Sequence, residues 1–303
     1  MANNTNGTFA VPKMPPGFDI FLIALNTFLS ISATLGNALI LVALRNVSSI
    51  HPPTKLLFRC LAVTDLCVGL ICQPLYVVYL IIGNSTIELA YVYIFFYSVL
   101  LAVSPLTSAA ISVDRLLALL LGLRYRHVVT LRGARVVIAC VWFIAVSNAS
   151  LLWVDFIQFS DKVYLASWWT YLALIMVSII ISLFSYIKIF FTLRHQQAQV
   201  QGHVHPEQSS RVRSVLNIAR YKKTVYSVAR IQFAMLACYG PFIGMAFFLH
   251  FGNKDYSTEV TIAGEVSLCL FFLNSSLNPV LYSWRIKDVR QEVKNAIRKC
   301  LCC

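Results

Sequence analysis

Asp65, Ser104, Asn274 and Asn278 are polar residues set inside long apolar runs, and Asp114-Arg115 stands as an acid–base pair at the end of another. A carboxylate among hydroxyl and amide oxygens makes an oxygen-rich cage for a small hard cation or a proton. The same groups also suit plain hydrogen bonding between helices, and residue chemistry alone leaves both readings open. Asn274 and Asn278 are four apart, so a helix presents them on one face. Asp114-Arg115 in "AAISVDRLLALL" reads either as a salt bridge marking a helix end or as a switch whose cation can change partners. No enzyme constellation accompanies these groups. His51, His127, His195, His203, His205 and His250 are scattered, mostly in loops, and pair with no deep Ser, Cys or Asp.

The elements that must carry these residues follow from composition. Of the 303 residues 58% are hydrophobic and 12% charged, with a mean hydropathy of +0.73; a soluble domain carries about 25% charge. Seven apolar runs, near 18–44, 54–82, 89–121, 134–155, 165–193, 224–250 and 259–283, are long enough to cross a bilayer. In lipid the backbone must bond to itself, so the runs are expected as helices. At about 1.5 Å per residue, Asp65 falls roughly 14 Å into the second run and Ser104 roughly 16 Å above Arg115. Gly36, beside Asn37, permits close helix approach. Pro74, Pro105, Pro241 and Pro279 lie inside runs and should bend them.

Lys and Arg set the orientation. All 25 except Lys13, Lys162 and Lys254 fall in segments 45–59, 115–135, 188–230 and 285–299. These are expected in the cytoplasm, with the N-terminus outside. The +13 charge therefore suits a rim facing anionic lipid and does not call for nucleic acid. Sequons at Asn3, Asn6 and Asn84 fall on the outer side and suit glycosylation; those at Asn46, Asn148 and Asn274 fall inside or in the membrane. None of the nine cysteines lies in an outer loop, so no extracellular disulfide is expected. The stretch 194–211 is a polar linker. Ile286, Val289, Val293 and Ile297 form an apolar stripe on a basic tail, an interfacial helix in prospect. Cys300, Cys302 and Cys303 follow it and suit palmitoylation, ranked above a prenylation box.

With these residues in order, the chain resembles the rhodopsin-like (class A) G-protein-coupled receptors. The resemblance covers about 18–300 and rests on Gly36-Asn37, "LAVTD", Asp114-Arg115-Leu116, Trp142, Tyr186, Pro241 and "NPVLY" at 278–282. "GLRYRHVVTLRGARVVIACVW", 122–142, resembles adenosine receptors; the missing loop disulfide and Ser178 in place of a proline resemble melanocortin and lysolipid receptors. The resemblance implies an all-α membrane protein, a seven-transmembrane helix bundle with a short amphipathic eighth helix. It implies an outer tail at 1–17, the receptor domain at 18–283 and a cytoplasmic helix with a Cys-rich tail at 284–303. It further implies a plasma-membrane receptor, not an enzyme, that activates heterotrimeric G proteins as the sixth helix swings outward, with arrestin and a receptor kinase as further partners. Asp114, Arg115, Tyr186, Tyr282, Asn278 and Pro279 would form the switch. Asp65, Ser104, Asn274 and Asn278 would form an allosteric sodium pocket, the one cofactor implied. The other class considered is a seven-helix transporter or channel; it would need a polar path through the whole membrane or repeated halves, and neither is visible.

By the same resemblance the ligand pocket would be lined by Tyr76, Tyr79, Tyr97, Ser98, Leu101, Thr170, Tyr171, Tyr239, Phe242, Ile243, Leu268 and Phe272, an aromatic and apolar set. For any single one of these aromatics ordinary helix packing is the commoner role, ahead of ligand contact. Tyr97 replaces the aspartate of amine receptors, Phe272 the lysine of opsins and Ala246 an asparagine of adenosine receptors, which argues against an aminergic ligand, an opsin-type photoreceptor and adenosine. Leu75 and Ile94 replace acids of melanocortin receptors. The family's outer cysteine is Ala90, its toggle tryptophan is Tyr239, and Pro105 and Met235 alter its transmission core. Tyr221, followed by Lys222 and Lys223, replaces the acid that would hold Arg115 from the sixth helix.

Overall fold

A computed structural model of the chain describes residues 15–82, 87–158, 161–202, 233–249, 251, 257–285 and 287–301. The elements are α1 (Phe18–Asn46), α2 (Pro52–Cys67), a π-helical turn (Val68–Cys72), α3 (Gln73–Ile82), α4 (Ile87–Leu121), a 3-10 turn (Gly122–Arg124), α5 (Tyr125–Val128), α6 (Leu131–Gln158), α7 (Asp161–Gly202), α8 (Phe233–Leu249), α9 (Thr258–Arg285) and α10 (Lys287–Leu301). The described residues contain no strand. Six spans are long and apolar enough to cross a membrane, and α8 is a seventh, shorter apolar helix. The residues before α8 in the expected sixth run, and Tyr221, Lys222 and Lys223 with them, lie outside the described set, as do Asn3, Asn6, Asn84, Ile286, Cys302 and Cys303.

The faces of α1 show how the sequence sorts the bundle. Leu22, Asn26, Leu29, Ala33, Asn37, Ile40 and Leu44 recur at helical spacing and are buried, while Ile20, Phe28 and Leu35 on the other side are exposed. An exposed apolar face is what lipid requires of such a helix. The third span is the hub: 56% of its apolar window is buried, against 22–39% in the other spans. Accordingly α4 packs on α2, α6 and α7, and α1 packs on α2, α9 and α10.

Two close approaches fix the bundle around α1. A Cβ on Gly36 would lie 2.8 Å from Pro279 Cγ, so glycine is what lets α1 and α9 meet there. A Cβ on Gly69 would lie 2.7 Å from Thr34 Oγ1 and 2.9 Å from two α1 backbone atoms, and Ser30 Oγ donates to Gly69 O at 2.7 Å.

The second span is not the single continuous helix its hydropathy suggests. The π turn at Val68–Cys72 directly precedes Gln73-Pro74. Proline lacks an N–H and crowds the carbonyl four residues back; the wider turn accommodates both. Pro105 and Pro279, by contrast, sit within α4 and α9. On the inner side α10 runs back under the bundle. Val289 is buried in the cluster with Ile40, Leu44 and Leu57, Val293 packs beside it, and Ile297 is exposed. Asn46 Nδ2 donates to Glu292 at 3.0 Å, and Ser49 Oγ donates to Asp288, joining α10 to the foot of α1.

Candidate functional site

Three polar or aromatic assemblies are stacked through the bundle. The innermost surrounds Asp114, which is 4% exposed. Arg115 meets its Oδ2 through Nε at 3.1 Å and Nη2 at 2.5 Å, and Nη2 also donates to Thr54 Oγ1 at 2.6 Å. Thr54 Oγ1 donates in turn to Asp114 Oδ2 at 2.9 Å, and the Tyr125 hydroxyl donates to Oδ1 at 2.6 Å. Three residues, from α2, α4 and α5, thus share the Asp114 carboxylate. Thr54 and Tyr125 escaped the sequence reading because a polar residue at a helix foot is unremarkable there. Higher on α4, Ser112 Oγ reaches the Tyr186 hydroxyl at 3.4 Å and Ser182 Oγ at 3.5 Å, which ties α7 to α4. Tyr282 lies on α9, but its side chain is outside the described residues.

The middle assembly surrounds Asp65, which is fully buried. Asn278 Nδ2 donates to its Oδ2 at 2.7 Å, Ser275 Oγ to Oδ1 at 2.9 Å and Ser104 Oγ to Oδ1 at 3.5 Å. Three of the four residues named from sequence are therefore in direct contact. Asn274 differs: its amide donates to the Tyr239 hydroxyl at 3.1 Å. Ser275 was missed, although its spacing of three from Asn278 on α9 places it on the same face. No basic side chain pairs with Asp65 among the described residues.

The outer assembly is a cavity of about 250 Å³ lined by Tyr93, Ile94, Tyr97, Ser98, Asn148, Ser167, Trp168, Tyr171, Phe242, Gly264, Glu265 and Leu268. Tyr97, Ser98, Tyr171, Phe242 and Leu268 were named from sequence. Tyr76, Leu101, Tyr239 and Phe272 are at most 2% exposed and pack in the core with Ile243 and Tyr79. Thr170 faces away: it is exposed, and its hydroxyl donates back to Ala166 O at 2.8 Å. It follows Ser167 and precedes Tyr171, which share the cavity face of α7, and one position is about 100° of helix rotation. Ser167 Oγ donates to Asn148 O at 3.1 Å, closing the wall between α6 and α7.

Sequence reading also missed Glu265. Its carboxylate lines the cavity and accepts a hydrogen bond from the Tyr76 hydroxyl. Aromatic rings link the cavity to the layer below. Phe242 meets Phe271 at 5.4 Å between centroids, Phe271 meets Tyr239 edge-on at 4.4 Å, and Tyr239 joins Asn274. The six described cysteines, Cys60, Cys67, Cys72, Cys140, Cys238 and Cys269, are all free, and the side chain of Cys300 is outside the described residues.

Comparison with known proteins agrees with this arrangement. The model of the family described as "7 transmembrane receptor (rhodopsin family)" matches residues 36–282. Melanocortin receptor 5 of Rattus norvegicus is 23% identical over 310 residues, covering 99% of this chain and 89% of that protein. Adenosine receptor A2b of Gallus gallus is 24% identical over 314 residues, covering 92% of this chain and 89% of that protein. The crystal structure of squid rhodopsin superposes with a TM-score of 0.79 at 18% identity, covering 96% of this chain and 89% of that one. The chain is thus a multi-pass membrane protein and a receptor rather than an enzyme, and it belongs to the rhodopsin family of seven-transmembrane receptors.

Proposed function

We propose that this receptor sits in the plasma membrane with its N-terminus outside, takes an extracellular ligand in the outer cavity and activates heterotrimeric G proteins at its inner face. The observation that carries the reading is the closed network of Arg115, Asp114, Thr54 and Tyr125. Arg115 stands at the foot of the central helix with its side chain 25% exposed, so it can exchange protein partners for a docked one. A ligand pressing on Phe242 and Leu268 acts on the ring chain to Tyr239 and Asn274, a contiguous path toward the middle of the bundle. Outward movement of α8 then opens a cleft beside Arg115, with Tyr186 and Tyr282 at its edge and Asn278-Pro279 as the pivot of α9.

Asp65 fits a sodium ion by the chemistry of its surroundings. The carboxylate, with the hydroxyls of Ser104 and Ser275 bonded to it, forms a set of hard oxygen donors around a buried, unneutralised charge. The amide oxygens of Asn278 and Asn274 are the further donors within the same assembly. Held there, a cation would favour the resting arrangement, because it ties α2, α4 and α9 together. Glycans at Asn3, Asn6 and Asn84, acyl chains at Cys300, Cys302 and Cys303, and later binding of a receptor kinase and arrestin belong to the same proposal.

The test is nucleotide exchange on purified heterotrimeric G proteins of several subtypes, with the receptor in lipid nanodiscs. Receptor-dependent exchange that disappears in Arg115→Ala, with folding intact, is the expected result. Equal exchange by wild type and Arg115→Ala would overturn the reading.

A further inference from the structure

We propose that the outer cavity selects a small organic cation, a protonated amine on an aromatic or apolar body, with Glu265 as its counter-ion. The inference rests on the receptor reading and names the ligand chemistry of the same cavity. Glu265 is the one charged side chain among the described lining residues. It has no ion-pair partner among the described residues; its Oε2 accepts only the neutral Tyr76 hydroxyl, which orients the carboxylate without neutralising it. A carboxylate half-removed from water favours a cation that arrives beside it. It repels carboxylate and phosphate ligands, and no described lining residue is Lys, Arg or His to offset that.

Two further observations point the same way. Tyr93, Tyr97, Trp168, Tyr171 and Phe242 surround the cavity, and aromatic faces attract a desolvated ammonium. Tyr97 Oη, Tyr171 Oη and Asn148 Oδ1 make no well-formed hydrogen bond among the described residues, although these residues are only 8%, 3% and 6% exposed. The Tyr97 and Tyr171 hydroxyls approach one another as a near hydrogen-bonded pair, and Asn148 Oδ1 has no such neighbour among the described residues. Buried polar atoms without partners are rare in native proteins, and each of these can accept from a ligand N–H, the tyrosine hydroxyls being able to donate as well.

Charge outside the cavity favours the same ligand. Around the outer end the sequence places Asp19, Glu88, Asp155, Asp161, Asp255 and Glu259 against Lys13, Lys162 and Lys254. That excess draws cations toward the mouth and slows anions. The volume, about 250 Å³, lies just below the usual ~300–1,000 Å³ range of drug-sized sites, so the occupant is small. Tyr97 replaces the aspartate by which amine receptors hold their ligands, so the amine here would be held from α9 instead of α4.

The experiment measures melting temperature of the purified receptor against concentration of phenethylamine, tyramine and tryptamine. The neutral 2-phenylethanol and the anionic 3-phenylpropionate serve as matched bodies without the cation. Saturable stabilisation by at least one amine, with the alcohol and the acid at least about tenfold weaker, is expected. Glu265→Gln should weaken that amine by about 30-fold or more. If Glu265→Gln melts early without ligand, Glu265→Asp replaces it. That variant keeps the charge with a shorter reach, so it should weaken the amine by a smaller factor and leave the alcohol unaffected. Amines no better than the alcohol, no stabilisation by any amine, or an amine response indifferent to Glu265 would each overturn the proposal. Exchange that proceeds normally in those cases leaves the receptor reading intact. Glu265-dependent amine binding without any exchange would instead sink the receptor reading and keep the cation site.

Discussion

Replacing Tyr125 with Phe removes from the inner network one hydroxyl, which also lies 3.0 Å from Thr54 Oγ1. The ring keeps its packing against His51, whose centroid is 5.0 Å away, and only the hydroxyl is lost. That hydroxyl donates to Asp114 Oδ1 at 2.6 Å. A hydrogen bond to a charged group contributes about 1.5–3 kcal/mol. The lower end applies, because the network lies at the edge of the bundle and Arg115 is 25% exposed. If the bond belongs to the resting arrangement alone, its loss shifts the balance by about 1.4 kcal/mol, or tenfold. Basal signalling should then rise by roughly that factor while the active fraction is small. Thr54→Ala should do more, since Thr54 bonds both Asp114 and Arg115. The assay is basal G-protein dissociation in cells at matched surface expression, with Tyr125→Phe/Arg115→Ala as the silent control. Unchanged or lower basal signal in Tyr125→Phe would refute the reasoning, since it would mean that the bond persists in both states.

Sodium at millimolar concentration should raise the melting temperature relative to a bulky organic cation, and Asp65→Asn should remove the difference; equal behaviour of the two proteins would exclude the site. Gly69→Ala forces a methyl to within 2.7–2.9 Å of α1 atoms and should destabilise by about 1–3 kcal/mol. Gly240→Ala, with open space around it, should be neutral or slightly stabilising, so equal melting shifts for the two would contradict the packing described. A membrane-impermeant reductant should leave the folded fraction unchanged, because the described cysteines are free; loss of folded receptor would reveal an outer disulfide.

Much of the bundle was legible because a bilayer punishes polar backbone and side chains, so length and hydropathy carry the architecture. Asp65, Ser104 and Asn278 stood out for the same reason: few functions justify such residues in lipid. Glu265 did not stand out. It lies one or two turns inside α9, where an acid reads as the boundary of a span, and only the fold turns it toward Tyr76. Ser275 was hidden within "NSSLNP", where three neighbouring polar residues point in different directions and periodicity cannot choose among them. Thr170 shows the opposite error, a residue placed on the cavity by alignment that the phase of α7 turns outward.

The π turn at Val68–Cys72 has a consequence for how this receptor can vary. It stores one residue beyond the α-helical count inside the second span. Deleting a single residue there would let the span relax to a regular helix with the faces beyond it nearly kept, whereas losing the wide turn without a deletion would rotate everything beyond it by about 100°. In that second case Asp65 would keep its place, while Tyr76 would swing off Glu265 and a different column of side chains would face the cavity. The span is therefore geared in two halves. Its lower half stays locked to the Asp65 assembly while the wide turn sets the phase of the upper half, so any substitution that lets the turn close re-indexes which side chains of α3 meet Glu265.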